Sequence, residues 1–106
     1  MIEAPPPTTL AEALALPRTQ GRSAEVFRDG DLELRFAAKP SVGMQTPHTR
    51  DEFYVVARGT ATYRVEDRVT AVGPGDLLFA AAHVVHGFEN NSDDFCVWVG
   101  FYGPEK

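Results

Sequence analysis

From Ser23 onward, apolar residues recur at every second position in short runs. In DLELRFA, Asp31–Ala37, Leu32, Leu34 and Phe36 alternate with Glu33 and Arg35. That period of two predicts a strand with one buried face. Asp29-Gly30 just before it is a tight-turn pair, which joins the earlier AEVFR to this strand as a hairpin. FYVVAR, Phe53–Arg58, is apolar on both faces, as expected of a strand covered on both sides. ATYRVE, VTAV, LLFA and FCVWVGFY supply further runs, divided by Asp67-Arg68, by GPGD at Gly73–Asp76 and by ENNSDD at Glu89–Asp94. Strands of about 4–8 residues at short, even spacing predict an all-β sandwich or barrel.

The first 22 residues carry a different pattern. APPP, Ala4–Pro7, is a flexible or extended leader. Thr9 and Glu12 have capping-box spacing, Leu10, Ala13 and Leu14 can share a face, and Pro17 ends the element. The expected organisation is a leader with a short helix over 1–22 and one β domain over 23–106, without internal repeats.

Composition narrows the partners. A chain of 106 residues that is 43% hydrophobic is sized for one domain with a sizeable core. No apolar run approaches the roughly 18 residues of a membrane span, and MIEAPPPTTL does not read as a signal peptide. The formal charge of −5 and the lack of a Lys/Arg cluster argue against nucleic acid and anionic membranes as partners. The one cysteine, Cys96, lies in an apolar run and reads as a buried, inert thiol. These features lead to a cytoplasmic expectation.

The candidate chemistry lies in three histidines, His48, His83 and His86, which all fall between Pro47 and Phe88. Residues four apart on a strand point the same way, so His48 and Glu52 share a face if the strand is unbroken between them. Imidazole nitrogen and carboxylate oxygen are joint ligands for a first-row divalent metal. His86 opens another strand-like piece, HGFEN, which a barrel would bring opposite the first two. Taken singly, each has a plainer reading: His48 with Glu52 as a surface pair, His86 as a hydrogen-bonded core histidine.

The stretch from about Gly43 to Asn90 resembles the cupin superfamily, small β-barrel proteins with two signature motifs. The second half of the first motif is matched by His48, Glu52 and Gly59, and the second motif by Gly75, His86 and Asn90, with the GPGD turn also similar. The chain departs from the pattern at Thr46, where the motif has its first histidine, at Gly43, which lies closer to the motif than the family spacing asks, and at Ala81 and His83, in the slots of a proline and a turn glycine. The resemblance implies a single-domain cupin barrel (double-stranded β-helix or jelly roll). It also implies one divalent transition metal (Fe, Mn, Zn or Ni) held by His48, Glu52 and His86, a two-histidine, one-carboxylate set with open positions. Gln45 is the neighbour expected to supply a fourth ligand or a polar pocket group if a bulge at Pro47 turns it inward. His83 reads as a rim residue.

Parity then sets the expected surroundings. Tyr54 and Val56 share the inward face with Glu52, Phe88 shares it with His86, and Tyr63 and Trp98, or the neighbours Val97 and Val99, line it from other strands; for most of these ordinary core is the preferred reading. A small, partly aromatic cavity suits a small organic ligand. Oxygenase, isomerase and lyase activities occur in the family, and a non-catalytic binding or sensor module and a bare scaffold are the competing readings. The apolar outward side of FYVVAR, Phe53, Val55 and Ala57, predicts a homodimer.

Overall fold

A computed structural model describes residues 5–18, 23–40, 43–45 (backbone) and 48–106. Its elements are a helix α1 (Leu10–Ala15) and nine strands: β1 (Ser23–Asp29), β2 (Leu32–Ala38), β3 (Gly43–Gln45), β4 (Asp51–Arg58), β5 (Ala61–Val65), β6 (Arg68–Val72), β7 (Leu77–Ala80), β8 (His86–Glu89) and β9 (Cys96–Tyr102).

The helix starts where the pattern placed it. Glu12 N–H donates to Thr9 Oγ1 at 3.2 Å and Thr9 N–H donates to Glu12 Oε1 at 3.0 Å, a complete capping box. It stops at Leu16, which is extended because a residue before proline is pushed out of the helical region. The β1–β2 hairpin turns at Gly30, whose φ of 57° suits the left-handed turn.

The strands form two antiparallel sheets, one in the order β1-β2-β9-β4-β7 and one in the order β3-β8-β5-β6. The core lies between them. Tyr54, Val56, Leu78, Val97 and Val99 come from the first sheet, Ala61, Tyr63, Val72 and Phe88 from the second, and Phe95 from the loop before β9. Phe88, Phe95 and Val97 are wholly buried, and full burial of such a side chain contributes about 1.5–3 kcal/mol. Gly59, which closes the first motif, turns the chain from β4 to β5 with φ at 79°. A Cβ there would stand 2.7 Å from the Phe95 Cα, so only glycine fits.

The outer face of the larger sheet carries a second cluster. Phe36, Ala38 and Cys96 pack under Ala13 of α1, with Leu10, Val26, Ala57 and Trp98 around them. Burial of Cys96 pushes its thiol pKa up, which fits the inert reading. Trp98 corrects the sequence expectation. Val97 and Val99 face the core, so Trp98 takes the opposite face and meets Phe36 edge-on at 4.9 Å. It does not line the interior. The helix covers only part of this outer face; Leu77 and Phe79 on the edge strand β7 remain 70% and 51% exposed. No helix among the described residues is long and apolar enough to cross a membrane.

Candidate metal centre

The centre forms where β4 and β8 face each other. On β4, alternation sends Glu52 and Tyr54 inward while Phe53 turns out. On β8, His86 and Phe88 are buried. His48 sits just ahead of β4, anchored by its carbonyl, which accepts the His83 N–H at 2.6 Å, and by an edge-on ring contact with Phe101 at 5.2 Å. The segment around it is tied down further: Lys106 N–H donates to the Thr49 carbonyl at 2.7 Å, and Lys106 Nζ meets Asp51 Oδ2 at 2.6 Å.

These elements bring His48, Glu52 and His86 together. Glu52 Oε1 lies 2.9 Å from His86 Nε2 and 3.2 Å from His48 Nε2. One ligand atom from each of the three falls within 4.8 Å of the others. His86 Nδ1 lies 2.9 Å from the Val84 carbonyl. That contact makes Nδ1 the N–H and, when the ring is neutral, leaves the Nε2 lone pair free for a metal, as in many metal-bound histidines; only the protonated ring donates from Nε2 to Glu52.

The residues fit a metal ion on their own geometry. Two donors on adjacent positions of an ion with bonds of about 2.0–2.1 Å stand about 3.0 Å apart in an octahedron and about 3.4 Å in a tetrahedron. Both Glu52–histidine distances match. His48 Nε2 is also a buried nitrogen with no hydrogen-bond partner, off the line of a bond to Glu52 although 3.2 Å from it. An orphaned buried donor atom of this kind is costly unless something fills its place.

Without a metal, protons perform that role. Burial of Glu52 opposes its charge, but the close approach of His48 and His86 outweighs burial and holds its pKa below the usual carboxylate range. Burial lowers the His86 pKa, and its contacts to Glu52 and the Val84 carbonyl outweigh that, leaving it raised. Tyr54 and Tyr63 are shifted up first by burial and then by the Glu52 charge, Tyr63 to about 12.

The other predicted positions divide. Val56, Tyr54, Tyr63 and Phe88 are buried on the inner side, where Phe88 meets Tyr54 at 5.0 Å and Tyr63 at 5.4 Å, so they act first as core. His83 is exposed, with φ at 70° and Nε2 at 2.6 Å from the Lys106 backbone oxygen, outside the cluster. The backbone of Gln45 pairs with His86, while its side chain, Thr46 and Pro47 lie outside the described residues. The sequence reading missed the polar role of Tyr54. Its hydroxyl lies 3.1 Å from His86 Nε2, the nitrogen that also faces Glu52 Oε1. The available signal was that Tyr54 follows Glu52 by two residues on one strand, and a buried hydroxyl needs a polar partner.

Comparison with known proteins agrees with this architecture. An uncharacterized protein from Streptomyces coelicolor, SCO3923, is 39% identical over 62 residues, which cover 58% of this chain and 59% of that protein. The chain thus spans under two thirds of that relative. A cupin-2 domain containing protein from Shewanella frigidimarina superposes with a TM-score of 0.70 at 13% identity, covering 90% of this chain and 93% of the other. A cupin superfamily protein from Desulfitobacterium hafniense gives 0.68 at 15% identity over 94% of each chain. The family described as Cupin domain matches residues 32–102, two thirds of the chain, and so includes β4 and β8, the strands of the candidate centre. With its sheets, its motif glycine at Gly59 and its His48–Glu52–His86 cluster in place, the chain belongs to the cupin family.

Proposed function

We propose that this protein is a metal-dependent cupin that acts on a small organic molecule, with its two sheets as the halves of a cupin barrel. The observation that carries the reading is that two imidazole nitrogens and one carboxylate oxygen lie within 4.8 Å of one another, with Glu52 and His86 buried. His48, Glu52 and His86 would hold a divalent transition metal, such as Fe, Mn, Zn or Ni. Such an ion supplies Lewis-acid polarisation of a bound oxygen or, if iron, redox chemistry. The protein groups do the rest. Glu52 contributes the single negative charge of the triad, and the Val84 carbonyl keeps the His86 donor aimed inward. The His48 side chain is 32% exposed against 4% for Glu52 and 1% for His86, so the small molecule approaches from the His48 side. The reaction class is isomerase, lyase or oxygenase.

A non-catalytic sensor or carrier is the second reading, favoured by a triad one histidine short of the family's four-ligand set. Metal-loaded protein mixed with small carboxylic and carbonyl compounds decides between them. Turnover, with or without oxygen uptake, supports the enzyme. A ligand-dependent change in the metal's spectrum without product supports the binding module.

A pH dependence follows from the metal-free electrostatics. Depressed Glu52 stabilises the fold above its unfolded pKa near 4.5 and loses that contribution as pH falls through its lower folded value. Raised His86 stabilises the fold below its unfolded pKa near 6.5 and loses that contribution as pH rises through its higher folded value. The metal-free centre is therefore best satisfied between these limits, whereas protons compete with metal there. The gap in melting temperature between metal-loaded and metal-free protein is expected to widen from pH 5 to above pH 7. An equal gap across that range contradicts the ligand assignment.

We also read the uncovered outer face as a homodimer interface. Leu77 and Phe79 stand beside Val55 and Phe53 in register, and Tyr102 contacts Phe53 at 6.2 Å. Together they make an apolar patch beside an unpaired sheet edge. Light scattering is expected to give twice the 11.6 kDa chain mass for the wild type and 11.6 kDa for Phe79→Glu. A wild-type mass of one chain at micromolar concentration removes this part of the reading.

A further inference from the structure

Among the described residues the triad is one donor short of the family's four-ligand set, and Thr46 stands where the first motif has a histidine. The structure offers an oxygen at that centre from a residue outside the family's ligand set. Tyr54 is 3% exposed, and its hydroxyl reaches past the aromatic core to the same nitrogen that faces Glu52. We propose that the Tyr54 hydroxyl oxygen is the fourth protein donor of the metal centre. This deepens the metal-site reading above and rests on it.

Three observations support the assignment. First, the hydroxyl lies 3.1 Å from His86 Nε2, between the 2.9 Å and 3.2 Å that separate Glu52 from the two histidine nitrogens. All three are spacings expected for neighbouring donors on one ion, about 3.0–3.4 Å. Second, the hydroxyl is already in place. It stands 3.1 Å from the same His86 Nε2 that lies 2.9 Å from Glu52 Oε1, so the hydroxyl and the carboxylate oxygen already flank one nitrogen where the cation would replace a proton. Third, the ring cannot swing away. It is packed edge-on against Phe88 at 5.0 Å and Tyr63 at 6.2 Å, and the Tyr63 hydroxyl itself points elsewhere, to the Phe79 carbonyl at 3.4 Å. The charges also balance. As the oxygen–metal bond forms, the O–H bond breaks and the proton leaves to solvent. Tyr54 and Glu52 then place two negative charges on a divalent ion, so the buried centre carries no net charge.

The test loads the protein with ferric iron and reads metal per chain together with the visible spectrum. A tyrosine oxygen bound to ferric iron gives a charge-transfer band that histidine and carboxylate ligands do not. Wild type and Tyr63→Phe are expected to bind one iron per chain and show the band. Tyr54→Phe, which keeps the ring and hence the packing, is expected to lack the band and to bind zinc more than about 100-fold more weakly, beyond the 10–100-fold typical of losing an outer partner of a ligand. One iron per chain in the wild type with no band overturns the Tyr54 assignment and leaves the triad standing. So does a band that survives in Tyr54→Phe or vanishes in Tyr63→Phe. A wild type that takes up neither iron nor zinc overturns the triad reading, and the Tyr54 assignment falls with it.

Discussion

Glu52→Ala is expected to empty the metal centre while both sheets stay folded. Glu52 is the only carboxylate in the cluster, and its Oε1 is the atom both histidine nitrogens approach, at 2.9 and 3.2 Å. Without it, the triad is reduced to two neutral imidazoles, and a divalent cation loses a carboxylate charge in a site where Glu52 and His86 are 3% and 1% exposed. An undercompensated buried charge is unfavourable enough that affinity should fall beyond the roughly 100-fold limit for losing an outer partner. The sheets should survive, because their stability comes mainly from apolar burial between Phe88, Phe95, Val97 and their neighbours. The metal-free variant should nevertheless be less stable than metal-free wild type near pH 5.5, because buried His86 loses the partner that keeps it charged. Circular dichroism checks the fold, and a zinc titration checks affinity. A folded Glu52→Ala that binds zinc like the wild type contradicts the assignment.

Phe88→Ala should have the largest effect on stability, a loss of about 3–5 kcal/mol. Phe88 is wholly buried and touches Tyr54 at 5.0 Å, Phe95 at 5.1 Å and Tyr63 at 5.4 Å, so it joins the two sheets and the loop before β9. Tyr54 and Tyr63 are themselves held by strands β4 and β5, which limits collapse into the space. A domain of this size has about 5–15 kcal/mol of stability in total, so the variant should sit near the edge of folding. It should also loosen the centre, because Phe88 lies two residues from His86 on β8 and against the ring of Tyr54. Phe88→Leu keeps most of the volume and should cost less than about 1.5 kcal/mol. Urea unfolding of the two variants decides: a loss under about 1 kcal/mol for Phe88→Ala would mean that the core is not built around this ring.

The sequence carried the parts of the fold whose signals are local. The capping box at Thr9 and Glu12, the Asp29-Gly30 hairpin and the inward parity of Glu52, Tyr54 and Val56 are all set within a few residues. What failed to show was set by distant neighbours. β3 has three residues, too few to display a period, and exists through its pairing with β8. Trp98 was ambiguous because β9 is covered by the core on one face and by α1 with its cluster on the other, so both sets of residues are apolar. The clustering of His48 and Glu52 with His86 needed family motifs as well as spacing, because β4 and β8 come together only through the arrangement of the two sheets. The Tyr54 hydroxyl escaped notice for a simpler reason: an aromatic in an apolar run reads as core, and this one is both core and polar.

The central claim is that His48, Glu52 and His86 hold one metal ion. Metal per chain by elemental analysis tests it most directly, on protein purified without a metal-affinity tag and compared among wild type, His48→Ala, His86→Ala and His83→Ala. His83 is the matched control, an exposed histidine three positions before His86 whose ring nitrogen contacts the Lys106 backbone oxygen rather than the centre. The account predicts one ion per chain in wild type and His83→Ala, and none in folded His48→Ala or His86→Ala. Full occupancy in folded His48→Ala together with loss in His83→Ala would contradict it.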